Sequence, residues 1–217
     1  MKRILVLCEG QTEETFVTRI LAPHLHRFDK IAIPKVLTTK KVKSGHEFHG
    51  GITSYAHIRR DTQHLLRDSN AICITTMLDY YGLPGDFPGK SGLRGATPYE
   101  RVSFLEQAFV ADIDSPRFLP YLMLHEFEAL LFVDLTAVID TLACPITPQQ
   151  FGDLQRFSSP EEINEGRHTH PAARLQEHLR GYRKTLHGPL AVERIGLPHI
   201  RAQCPHFNDW LNKMEAL

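Results

Sequence analysis

Only four cysteines occur in the 217 residues, and Cys8, Cys73, Cys144 and Cys204 stand far apart. Without a C-x-x-C pair there is neither a zinc ribbon nor a dithiol redox motif, so reduced and mostly buried thiols are expected. Long apolar runs are missing too; none approaches the roughly 18 residues that cross a bilayer. The first run, Ile4 to Cys8, is too short for the core of a secretory leader and no small-residue cleavage site follows it. The chain therefore reads as cytosolic, with no membrane contact. An excess of charge of one sign is also lacking, since 25 Lys plus Arg offset 25 Asp plus Glu. No global field draws a polyanion, so nucleic-acid contact would have to come from local basic patches or bound metal. Neither G-x-x-x-x-G-K-[ST] nor G-x-G-x-x-G is present, which excludes the nucleotide cradles those patterns build. No G-x-S-x-G or Cys–His signature points to an acyl-transfer nucleophile.

What is present is enough for a core, with 42% hydrophobic residues. Ile4–Cys8, Ala71–Leu78 and Phe118–Leu124 are continuous apolar runs, the pattern of strands buried on both faces of a parallel sheet. Lys30–Val36 is a weaker strand, interrupted by Pro34. After Cys8, Thr12 reads as a helix N-cap, and Phe16, Val17, Ile20, Leu21 and Leu25 follow at helical spacing. Ser54–Arg67 and Pro98–Asp112 read as helices, and Ala129–Phe132 as the start of another. Tyr80–Thr97 is too rich in Gly and Pro for regular structure. Residues 35–49, with Lys40, Lys41 and Lys43, read as a basic loop; its Gly45–Gly51 stretch either holds a ligand or is simply loop. Beyond residue 134 the pattern is helical and proline-punctuated. The expected class is α/β: residues 1–134 form a mainly parallel sheet flanked by helices, and the helical half, 135–217, packs on it. Trp210, with Phe207 and Leu211, reads as the inner face of a docked terminal helix.

Each strong strand is followed by acid: Glu9 after the first, Asp79 after the second, Glu126 and Glu128 after the third. Ligands of open α/β sheets bind outside the carboxyl ends of the strands. If the strands are parallel, these acids converge, and converged carboxylates need a cation or raised pKa values. Hard oxygen donors select Mg²⁺ or Mn²⁺, ions that clamp a phosphodiester and activate water. Any one of these acids can equally be an ordinary helix cap. Glu13 and Glu14 read first as first-turn residues favoured by the helix dipole, although Glu13 can face the site. Asp86, in the glycine-rich loop, either closes over a metal or is a solvated turn residue. Lys90, Arg94, Arg174, Arg183 and Lys184 are candidates for nucleic-acid contact, or else solvated helix faces. Tyr80 and Tyr81 either stack on a base or pack the loop onto the domain. His168 and His170 read as loop residues.

The stretch Cys8-Glu9-Gly10-Gln11-Thr12-Glu13 resembles the opening of the Toprim fold of topoisomerases, primases and the overcoming-lysogenization-defect nucleases. That likeness implies that Glu9 is a metal ligand or general acid/base. The same fold ends a later strand in Asp-x-Asp; here Asp79-Tyr80-Tyr81 keeps the first Asp and puts tyrosine at the second, which places the usual metal set in doubt. Asp86 or the Glu126/Glu128 pair would have to compensate. Nearly the whole chain is similar to a Toprim-like family of bacterial proteins often encoded beside an ABC/SMC-type ATPase. The matching stretches are EGQTEE, DYYGLPGDFPG, HEFEALLF, Pro171–Leu175 with Tyr182-Arg183-Lys184, and CPHFNDWL. The resemblance implies a nuclease of anti-phage defence, cutting DNA or RNA beside an ATPase subunit. Glu9, Asp79, Glu126 and Lys184 would be its catalytic groups, and Glu9, Glu13, Asp79, Asp86, Glu126 and Glu128 its metal ligands; a homodimer is left open. The competing expectation is a non-catalytic binding subunit of that ATPase, favoured by tyrosine at position 81. A phosphoester hydrolase for small substrates is a third.

Overall fold

A computed structural model, which describes residues 1–38, 52, 54–152, 154, 156–163, 166 and 168–217, turns the apolar runs into strands of one sheet. These are β1 (Lys2–Cys8), β2 (Lys30–Val36), β3 (Ala71–Asp79), β4 (Phe118–Leu119) and β5 (Leu122–Met123). They run in the order β2-β1-β3-β4, with β5 also on β3, and every pairing is parallel. The fold is therefore α/β, with a parallel sheet between helices, as the apolar pattern predicts.

Successive side chains of a strand point to opposite faces, and here the two faces feed two cores. Ile4, Val6, Cys8, Cys73 and Met77 face one layer; Leu5, Leu7, Ile74 and Leu78 face the other. The second layer is α3 (Tyr55–Leu66) and α4 (Pro98–Ile113). The first begins with α1 (Gln11–Phe16), which passes through a π turn at Val17–Leu21 into α2 (Ala22–His26). The wide turn precedes Pro23, whose ring would crowd the carbonyl four residues back in a regular helix. The same layer holds α5 (Leu135–Leu142), α6 (Pro171–His178), α7 (Lys184–Ile195), α8 (Leu197–Gln203) and α9 (Pro205–Ala216). Val138, Leu175, Val192 and Trp210 of these helices share one core with Phe16 and β1. Trp210 is the inner residue expected of α9: its Nε1 donates to Thr75 Oγ1 of β3 at 2.8 Å, and its ring stacks on Tyr121 at 4.2 Å.

Three local expectations are corrected. Thr12 is not the N-cap of α1; Gly10 is, and Thr12 is buried in the first turn. The run Phe118–Leu124 is two short ladders, because Pro120 has no N–H to give the sheet. Thr76 repairs the gap: Tyr121 N–H donates to its Oγ1 at 2.9 Å, and that hydroxyl donates to Tyr121 C=O at 2.9 Å. Phe127–Val133 is a 3₁₀ helix, with residues 127–132 all buried. Tyr80–Thr97 is irregular apart from a short 3₁₀ turn at Lys90–Gly92. Lys40, Lys41, Lys43 and Gly45–Gly51 lie outside the described residues. Among the described residues no helix is long and apolar enough to cross a membrane.

The Thr76 hydroxyl satisfies two buried backbone groups, so Thr76→Val should lower unfolding stability by about 1–3 kcal/mol in a urea titration. A Thr76→Val protein as stable as wild type would contradict this account of the break in the strand.

Candidate functional site

Parallel pairing brings the carboxyl ends of β1, β3 and β5 to one edge, and the acids that follow them meet there. Glu9 leaves β1 and points across to β3, where its Oε2 accepts the Asp79 N–H at 3.0 Å. Glu13, one turn into α1, folds back so that its Oε2 accepts the Gly10 N–H at 2.9 Å. Its other oxygen, Oε1, is buried with no hydrogen-bond donor. Asp79 ends β3; its Oδ1 accepts the Phe127 N–H at 3.0 Å and so starts the 3₁₀ helix that carries Glu128. Glu128 is fully buried, and its Oε1 accepts from the Tyr182 hydroxyl at 3.3 Å. Lys184 enters from the first position of α7. Its Nζ lies 3.2 Å from Asp79 Oδ2 and 3.1 Å from Glu128 Oε2, bridging the two acids.

One ammonium does not neutralise this many carboxylates. Burial first, then the Asp79 charge, pushes the Glu9 carboxyl up to about 8. Burial and Asp79 likewise raise Glu13 to about 7, against the pull of Lys184. Burial raises Glu128 to about 7 and also raises Asp79, both opposed by Lys184. Burial disfavours the Lys184 ammonium, but Asp79, Glu128 and Glu13 outweigh it and hold its pKa above the ordinary lysine value.

Glu126 stands at the rim. Its Oε2 accepts from His170 Nδ1 and from the Ala172 N–H, each at 2.9 Å, the latter at the start of α6. Tyr81, two residues past Asp79, stacks on His170 with ring centroids 5.1 Å apart. The residue before Glu126, His125, is buried with φ 64°, a left-handed conformation rare outside glycine. The edge thus gathers Glu9, Glu13, Asp79, Glu126, Glu128 and Lys184. No group of three or more His, Cys, Asp or Glu among the described residues stands in metal-holding geometry.

Asp86 is not part of it. Its carboxylate accepts from Tyr55 N–H at 2.9 Å and Ser54 Oγ at 2.8 Å, capping α3, and these bonds hold its pKa low. A capping oxygen at the head of a helix is a local role that the loop composition did not reveal. The basic candidates are dispersed. Lys90 Nζ donates to the Leu83 carbonyl and ties the loop together. Arg174 Nε donates to the Thr169 carbonyl at 2.6 Å. Arg94 is exposed, and exposed Arg183 is the N-cap residue of α7, beside Lys184. His170 and Tyr182 are the members that sequence reasoning passed over, since each reaches the site through a contact more than 40 positions away.

A family model described as a domain of unknown function (DUF4276) matches residues 8–215, so the chain belongs to that family. No curated protein and no solved structure matches the chain.

The raised carboxyls fix the sign of a pH effect. Between the ordinary glutamate value and about 7–8, the folded state holds protons that the unfolded state has lost, so stability falls as pH rises through that window. Melting followed without added metal should show this decline from about pH 5 to about pH 8. Glu9→Gln should flatten it and raise the melting temperature at pH 8, by roughly 2–4 °C for each kcal/mol relieved. Stability that rises from pH 5 to 8 would contradict the burial of uncompensated acid.

Proposed function

We propose that this member of the DUF4276 family is a cytoplasmic, Mg²⁺- or Mn²⁺-dependent nuclease that hydrolyses phosphodiesters of DNA or RNA. The observation that carries the reading is the convergence of the Glu9, Glu13, Asp79 and Glu128 carboxyls at the carboxyl edge of a parallel sheet. The residues fit a hard divalent cation in donor chemistry: all are oxygens, carboxylate outnumbers ammonium, and Glu13 Oε1 is a buried oxygen with no donor. Glu13, Asp79 and Glu128 would hold the ion, with Glu126 at the rim; Glu9 would serve either as a further ligand or, uncoordinated, as the proton carrier. When bound, it would polarise the phosphodiester and lower the pKa of water.

The chain's own residues supply the rest. With a pKa near 8, Glu9 can hold a proton near neutral pH and pass it on, as a general acid or base must. Gly82 brings backbone without a side chain over its Oε1. The Lys184 side chain is 38% exposed, so its ammonium can turn from the acids toward a phosphate oxygen. The resemblance to Toprim-like defence proteins adds an ABC/SMC-type ATPase as partner. A non-catalytic role beside that ATPase is the second reading. It is favoured by Lys184 lying between Asp79 and Glu128, and by the lack of a chelating trio among the described residues.

Labelled DNA and RNA oligonucleotides incubated with Mg²⁺ or Mn²⁺ should be cut by the wild-type protein. Glu9→Gln and Asp79→Asn should each slow cutting by about 10²–10⁴-fold without lowering the melting temperature. Asparagine keeps an oxygen for the Phe127 N–H, so the 3₁₀ helix survives the change. Cutting by either variant at the wild-type rate would remove these acids from the chemistry, and no cutting by wild type would favour the second reading.

A further inference from the structure

Two tyrosines follow Asp79, and the fold sends them to opposite environments. Tyr80 is 8% exposed and belongs to the core beneath α3 and α4. Tyr81 is 43% exposed, although it stands two residues from the end of the central strand. Its backbone is pinned: the Tyr81 N–H donates to the His125 carbonyl at 3.0 Å, on the same turn that carries Glu126. Its ring is backed rather than free. His170 lies against it at an interplanar angle of 20°, and His170 is itself held by Glu126 and by its place as the N-cap of α6. The result is an aromatic plate supported on one face, accessible to solvent, at the margin of the acidic edge.

We propose that Tyr81, backed by His170, is a stacking platform for an unpaired base, so that the substrate of this site is single-stranded nucleic acid rather than duplex. The inference rests on the nucleic-acid reading above and narrows its substrate. Bases inside a duplex have both faces covered by their neighbours, and an isolated plate can engage only a base whose face is free. Stacking of this kind is tolerant of sequence because every base has a π face. Two residues of extended chain span at most about 7 Å, so the backbone that carries the platform is anchored within that distance of Asp79. Asp79 in turn touches the ammonium of Lys184.

The test is fluorescence anisotropy on the full chain carrying Glu9→Gln, in Mg²⁺, so that the probes persist. The probes are fluorescein-labelled 12-nucleotide single-stranded DNA, single-stranded RNA of the same sequence, and the 12-base-pair DNA duplex. Single strands should bind more tightly than duplex. Tyr81→Ala should weaken single-strand binding by about 5- to 150-fold, the span that stacking of one base supplies. Tyr81→Phe should restore it, and duplex binding should not change. Tyr81→Leu keeps apolar bulk without a ring and should behave as Tyr81→Ala, which separates loss of stacking from loss of fold. Equal affinity for single strand and duplex, or Tyr81→Ala and Tyr81→Leu proteins that bind as the parent does, overturns the platform and leaves the nucleic-acid reading standing. Binding of none of the three probes overturns both.

Discussion

Acid crowded at one edge of a parallel sheet is an electrostatic problem, and the ammonium of Lys184 is the counter-charge that makes it tolerable. The nitrogen sits between Asp79 at the end of β3 and Glu128 past β5, joining parts of the chain that the sheet alone would leave repelling each other. Lys184 pays for this with an awkward position. The first turn of a helix repels cations through its dipole, so a lysine there gains nothing from α7 itself and depends on the acids it faces. The acids depend on it in return. Breaking a buried ion pair by removing one partner commonly costs about 3–5 kcal/mol, because the remaining charge stays buried and unpaired.

This dependence explains why the helical half cannot be a loose appendage. Residues 135–217 supply Lys184 to the centre of the acidic edge, Tyr182 to Glu128, and His170 to Glu126. α7 reaches that edge by close packing. A Cβ at Gly188 would meet Phe127 at 3.3 Å and the Tyr182 hydroxyl at 3.4 Å, so glycine lets the helix lie against the 3₁₀ segment that carries Glu128. Farther along, Trp210 fastens α9 to Thr75 in the middle of β3. The core that holds the terminal helices is the same one that holds α1, which positions Glu13.

What was legible in the sequence was the part governed by local pattern. Unbroken apolar runs marked β1 and β3, and an acid just beyond each run marked Glu9 and Asp79. Parallel pairing then made their convergence a geometric consequence. What stayed hidden depended on contacts distant in sequence. The strand after Phe118 looked continuous because nothing local reveals that the Thr76 hydroxyl would stand in for a missing backbone donor. Asp86 looked like a free acid in a loop, yet the head of α3, about 30 positions earlier, takes both its oxygens. His170 looked like loop because its acid partner is 44 positions away. Glu13 read first as a surface residue favoured by the helix dipole, with the site as its alternative; its burial follows from α7 packing over α1, which no property of the first 20 residues shows.

We propose that these carboxylates take a divalent cation in the place of the Lys184 ammonium that bridges Asp79 and Glu128. Isothermal titration of Mn²⁺ into the wild-type chain and into Lys184→Met addresses it without reference to any reaction. The account predicts saturable binding to wild type and tighter binding to Lys184→Met, since the metal then has no internal ammonium to displace. Absence of saturable Mn²⁺ binding to both proteins would contradict it.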